Sequence, residues 1–276
     1  MILVAGGDSF IFGTELKDQI ETTPSLSTFT GLLAVNNNLE YSCAAYPGNA
    51  NNAIARMTIT ECEQLRSQSK KLAVIISWTY TDRFEFRFNY NTEQRISPWY
   101  SINSWTCQDD QSIISHFTKF FNKDEDGLKR QLAHLETARQ TGVAQFSKEF
   151  FKHVGNNEYY EVYSTLKEIV FMQNYLKVNN IPYLFTLADN SYYETNNYLR
   201  NNDKFLKSLY EQIDWDQWYF FPEGTQANET CAPRGFYQWA IESKYQIGIS
   251  HPLEKAHSDA AELMKEKFNE LVKKNI

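Results

Sequence analysis

Several absences narrow the field first. The four cysteines, Cys43, Cys62, Cys107 and Cys231, form no close pair. Spacing therefore gives no zinc or redox motif. No Lys/Arg-rich stripe runs along the chain, and the formal net charge is -7. A nonspecific nucleic-acid binder would need such a stripe, so no nucleic-acid partner is expected. No apolar run approaches the roughly 18 residues that a membrane span requires, and no membrane partner is expected. No basic leader precedes "MILVAGG", so a cleaved secretory signal is not expected and synthesis is read as cytoplasmic. Internal repeats and low-complexity tracts are also missing.

What is present is aromatic. The chain has 276 residues with 17 Tyr, 19 Phe and 6 Trp. That length supports a full core without staples, and that composition argues against disorder. Apolar runs at Ile2–Ala5, Leu72–Ser77 and Tyr183–Leu187 read as buried strands of a mainly parallel sheet. Segments with helical spacing separate them: "PSLSTFTGLLAV" with Pro24 in its first turn, "NAIARMTITECEQL", and "EVYSTLKEIVFMQNYLKVNN". "LEYSC" is a short strand, and "DQWYFF" another. A last amphipathic helix carries Leu253, Ala256, Ala260, Met264, Phe268 and Leu271 on one face, with Pro252 in its first turn. The alternation predicts an α/β fold. After Trp78 the rhythm breaks. Residues 82–155 read as an insertion, irregular to about 125 and then mostly helical, forming a lid or pocket wall on a single domain of residues 1–276.

The stretch "GGDSF" follows the first strand at once. Ser9 is placed either as a nucleophile at a sheet edge or as a helix cap, since Ser and Asp both accept from free N-terminal amides. A nucleophilic serine needs a base, and histidine titrates near neutrality. Of His116, His134, His153, His251 and His257, only His251 lies in a polar turn, "GISHP", directly before the last helix. His257 reads as structural. An oxyanion site needs aimed donors. "YPGNANNAI" offers the Gly48 amide and the side chains of Asn49, Asn51 and Asn52. "SWTYTDRFEF" follows the third strand and places Trp78, Thr79 and Arg83 near the same edge.

Together these blocks resemble the SGNH (GDSL-like) hydrolases. "GDSF" is similar to the family's first block, with Ser9 as nucleophile and amide donor and Asp8 beside it. "GNANNAI" is similar to the glycine block, with Gly48 as oxyanion donor. In the third block Thr79 stands where the family has an asparagine donor. In the last block His251 is the base, and Gly248 stands where the aspartate is usual. Asp214, Asp216 and Glu254 are the acids considered as substitutes. The stretches "WTYTDRFEF" and "HPLEKAH" resemble a branch found in phage-encoded proteins of unassigned substrate, for which virion association is a further expectation.

The resemblance implies a three-layer α/β/α sandwich with a mainly parallel central sheet, flavodoxin-like and of the SGNH hydrolase type. It implies serine-dependent hydrolysis of a carboxylic ester, small-molecule or carbohydrate, such as an O-acyl or O-acetyl group. No metal or organic cofactor is required. Asp8, Asn49, Asn51, Trp78 and Arg83 are the residues expected to contact or orient substrate. The alternative is a binding or structural protein on the same fold with weak or no activity. Oligomeric state is not legible from the chain.

Overall fold

The computed structural model describes residues 1–20, 22–89, 98–120, 125–190, 203–221 and 234–273. Four strands form the central sheet: β1 (Ile2–Gly6), β2 (Glu40–Cys43), β3 (Leu72–Trp78) and β6 (Tyr183–Leu187). Their order is β2-β1-β3-β6, and every pairing is parallel. β1, β3 and β6 are buried along their whole length, which is why they read as continuous apolar runs rather than alternating ones. β2 sits at the edge and is half exposed. "DQWYFF" adds to the β6 side as a single parallel bridge, Phe185 to Trp218.

Helices flank the sheet, giving a mixed α/β architecture. On one face, Leu3, Ala5, Ala73, Ile75 and Leu184 pack with Phe29 and Leu33 of the helix Phe29–Asn36 and with Ala260, Met264 and Phe268 of the helix Glu254–Lys273. The helix Asn51–Ser67 packs on β1 and β3 and is tied to the helix Glu158–Val178 by Asn51 Nδ2 donating to Thr165 Oγ1 at 3.2 Å.

Two helix starts differ from expectation. Pro24 and Pro252 both lie before their helices rather than in the first turns. In the first case the Asp18 carboxylate accepts from the Leu26 and Ser27 amides at 3.0 and 3.2 Å. It thereby holds this stretch in a turn. Thr28 then caps the helix by accepting from Gly31 N at 3.1 Å. In the second case Pro252 is used in a bridge to Ile247.

The chain divides into two compact units, Met1–Thr81 with Val162–Ile276, and Asp82–Glu161. The second unit contains an antiparallel pair, β4 (Phe84–Arg87) and β5 (Trp99–Ile102), where the sequence reading saw only an irregular stretch. "FEFRF" does alternate, but the run is short and the partner strand lies beyond residues 90–97, which fall outside the described set. Helices Asp110–Phe120, Glu125–Gln140 and Val143–Phe150 complete the unit. Its core gathers Phe84, Tyr100, Ile102, Ala138, Val143 and Phe151.

Cys43, Cys62 and Cys107 are free thiols, and Cys231 lies outside the described residues, as does most of the first half of the expected helix around 197–213. No helix among the described residues is long and apolar enough to cross a membrane.

Two glycines with positive φ differ in what surrounds them. Gly13, at φ +80, ends the short helix Ser9–Phe12, and a Cβ there would lie 2.4 Å from Ser25 and 2.8 Å from Thr28. Gly48, also at φ +80, has nothing within 4 Å of a Cβ. Gly13→Ala is therefore expected to cost several kcal/mol, combining overpacking with left-handed strain. Gly48→Ala should cost only the strain, about 1–2 kcal/mol. Denaturant midpoints of the two variants, measured side by side, check this difference.

Candidate active site

Ser9 follows β1, and Thr79 follows β3. β2 and β3 lie on opposite sides of β1, so the carboxyl ends of β1 and β3 flank the point where the winding reverses. Open α/β sheets form their crevice there.

The sequence left Ser9 between cap and nucleophile. Asp8 takes the cap: its Oδ1 accepts from Phe10 N at 3.1 Å. Ser9 becomes the first helical residue, and its hydroxyl is not needed by the helix. The Ser9 Oγ lies 2.8 Å from His251 Nε2, across 242 positions of sequence. The other ring nitrogen, Nδ1, lies 2.7 Å from Glu15 Oε1. The side chains of His251 and Glu15 are 13% and 18% exposed, so this line of contacts is shielded yet reachable.

The proton positions follow from the acid. Burial raises the Glu15 pKa, but the His251 hydrogen bond and charge, the Ile249 amide and Ser250 outweigh it and hold the carboxyl below its ordinary value. An ionised carboxylate only accepts, so Nδ1 carries the ring hydrogen and Nε2 is left as an acceptor for the Ser9 hydroxyl. The turn before the last helix is built around the same carboxylate. Ile249 N and Ser250 N donate to it, as does Ser250 Oγ at 3.1 Å. Gly248 N donates to His251 O at 2.9 Å and closes the turn.

Glu15 is the residue that sequence reasoning missed. The acids that the sequence offers as substitutes are Asp214, Asp216 and Glu254, and the structure engages two of these elsewhere. Asp214 pairs with Lys177 at 2.7 Å, and Glu254 accepts from Lys17 N at 3.0 Å. Gly248 is the position where a carboxylate was expected. A Cβ there would meet Glu15 Oε2 at 2.1 Å, so Glu15 already fills that space. Glu15 itself adopts φ 74, an unfavourable region for a residue with a Cβ. Such strain concentrates at functional sites because surrounding contacts must enforce it. The only local signal is an acid just beyond a glycine-ended helix, which is common to many turns.

The remaining expected residues divide by role. Thr79 and Asp8 are buried against each other, with Thr79 Oγ1 donating to Asp8 Oδ2 at 2.5 Å. A hydroxyl has one proton, so the Thr79 side chain has no second one to give to an oxyanion. Asn51 braces the same residue from both sides, accepting from Thr79 N at 2.9 Å and donating to Thr79 O at 3.2 Å. Asn49 Nδ2 donates to Gly7 O at 3.0 Å and so supports the glycine turn before Ser9. Both asparagines are buried, which makes them orienting groups rather than substrate contacts. Trp78 is 0% exposed with its ring against Phe185, and it belongs to the core instead of a substrate surface. Arg83 belongs to the second unit. Among the described residues nothing accepts from the amides of Ser9 or Gly48, and Gly48 is exposed. The Ser9 amide lies in the first turn of its helix and the Gly48 amide in the turn before the helix Asn51–Ser67, and a first-turn amide such as that of Ser9 is a donor in waiting.

His257 anchors the loop from below. It is buried between Phe29 and Phe236, and its Nδ1 accepts from Phe29 N at 3.2 Å. Burial lowers its pKa from 6.5 to about 3, aided by the charge of His251. A folded-state value below the unfolded one means that the unfolded chain binds the extra proton first. Its contribution to stability is therefore complete above pH 6.5 and is lost as pH falls toward 3. Thermal unfolding of the wild type should weaken across that window, and His257→Gln should flatten that part of the profile.

Among the described residues no group of three or more His, Cys, Asp and Glu side chains is placed to hold a metal ion. Compared with family models, curated proteins and solved structures, the chain gave no match.

Proposed function

We propose that the chain is a serine hydrolase of carboxylic esters, on a three-layer α/β/α sandwich of the SGNH hydrolase type. The observation that carries this reading is the run of contacts Ser9 Oγ–His251 Nε2 at 2.8 Å and His251 Nδ1–Glu15 Oε1 at 2.7 Å. Ser9 at a helix start, Glu15 in the turn after that helix and His251 in the turn before the last helix meet in the order that nucleophilic acyl transfer requires. His251 takes the Ser9 proton as Oγ attacks the ester carbonyl. Glu15 holds the ring with Nε2 toward Ser9 and supports the imidazolium that forms. The Ser9 and Gly48 amides supply the oxyanion donors. His251 then gives its proton to the leaving alcohol oxygen. Water, deprotonated by His251 in turn, releases the carboxylic acid and restores Ser9.

The role given to Thr79 by resemblance passes to bracing. With its proton on Asp8, it fixes the residue beside the nucleophile. Covalent labelling by a fluorophosphonate tests the reading. Wild-type protein should take one label, and Ser9→Ala none. An unlabelled wild type would remove the proposal.

A further inference from the structure

The alcohol side of the site can be located from the mechanism above, on which this inference rests. The leaving oxygen must receive its proton from His251 Nε2. The alcohol therefore lies along the flank of that ring, away from the acyl group. One side of that flank is aromatic. The Phe10 ring meets His251 edge-on at 5.0 Å between centroids and meets Tyr237 at 5.8 Å. Tyr237 is well anchored: its amide donates to Ala188 O at 3.0 Å, and its helix, Phe236–Glu242, buries Phe236 and Trp239 in the core. Its ring is half-buried, and its hydroxyl reaches solvent without a hydrogen-bond partner among the described residues. A phenolic hydroxyl so placed both donates and accepts toward an arriving polar group. On the loop beside the base, Ile249 is 44% exposed although its amide is fixed on Glu15. A fixed backbone presenting an exposed apolar side chain offers a contact surface with little ordering cost.

We propose that Tyr237 and Ile249 form the subsite for the alcohol part of the ester, and that they select alcohols carrying a six-membered ring with a flat apolar face. Tyr237 packs on that face, and its hydroxyl bonds a polar substituent at the rim. An aryl alcohol and a pyranose share this chemistry.

The experiment compares kcat/KM for three acetate esters: ethyl acetate, phenyl acetate and methyl 6-O-acetyl-glucopyranoside. All three give the same acyl-enzyme, so kcat/KM reports the step in which the alcohol is still present. Tyr237→Ala should lower the value at least tenfold for a ring-bearing ester and leave ethyl acetate within twofold. Tyr237→Phe keeps the packing face. It should spare phenyl acetate, and a loss confined to the glucoside would identify a pyranose as the natural acceptor. Ile249→Ala should shift the same ratio by a smaller factor. Equal losses on all three esters, or none, would overturn the subsite. Fluorophosphonate labelling separates the two levels. A labelled protein with an unchanged ester ratio loses only the alcohol subsite, whereas an unlabelled wild type loses the serine-hydrolase reading and the subsite with it.

Discussion

Replacing Ser9 with alanine is expected to reduce kcat for ester turnover by about 10⁴-fold or more, since nucleophile and base act as one unit. The stability of the fold should barely change. Among the described residues the Ser9 hydroxyl makes one hydrogen bond, to His251, and the helix cap belongs to Asp8. Loss of one such hydrogen bond costs about 1 kcal/mol. His251→Ala should show a comparable fall in kcat, and the double variant should be no worse than either single one. Steady-state kinetics with matched thermal melts check both halves. Retained turnover in Ser9→Ala would place the chemistry elsewhere. A collapsed melting temperature would instead make Ser9 a structural residue.

The second large effect concerns Glu15. Glu15→Gln keeps the shape and removes the charge, and an amide can present its NH₂ group to Nδ1 and favour the wrong tautomer. A loss of roughly 10²–10⁴-fold in kcat is expected, by analogy with neutralising the acid of a Ser-His-Asp triad. The pH profile is the discriminating readout. The Glu15 carboxyl is held below its ordinary value, so its support is present at neutral pH and is lost only as pH falls through that lowered pKa. A fall in wild-type kcat/KM that follows protonation of the Glu15 carboxylate at low pH should therefore be absent in Glu15→Gln. Gly248→Asp should lower activity in the wild-type background, since its Cβ would lie 2.1 Å from Glu15 Oε2. In a Glu15→Ala background the same substitution has room, and part of the lost activity should return. Failure of the pair to recover, in a protein that melts normally, would argue against a carboxylate requirement at Nδ1.

Much of the scaffold could be read from the chain alone. Leu72–Trp78 and Tyr183–Leu187 are continuous apolar runs because parallel strands covered on both faces have no polar side to show. The positions of Ser9 and His251 were also legible, since each lies in a short polar stretch next to a regular element, Ser9 just after β1 and His251 just before the last helix. Their meeting was not encoded locally: it depends on β1 packing between β2 and β3 and on the last helix returning over the same face. Glu15 was illegible for a stronger reason. It contacts His251 across 236 positions, from a loop with no periodicity and a backbone conformation that its residue type disfavours. Tertiary contacts from Ile249, Ser250 and His251 hold it there. The same division applies to Thr79. Its place at the end of β3 follows from the apolar run before it. Whether its single proton pointed at substrate or at Asp8 was settled by packing, which brings Asp8 Oδ2 to 2.5 Å from Thr79 Oγ1 while Asn51 clamps the Thr79 backbone from the start of another helix. Sequence fixes which residues reach the sheet edge, because hydrophobic pattern and turn chemistry are local. Which groups share protons there is set by distances of a few ångströms between distant segments, and those exist only once the chain has packed.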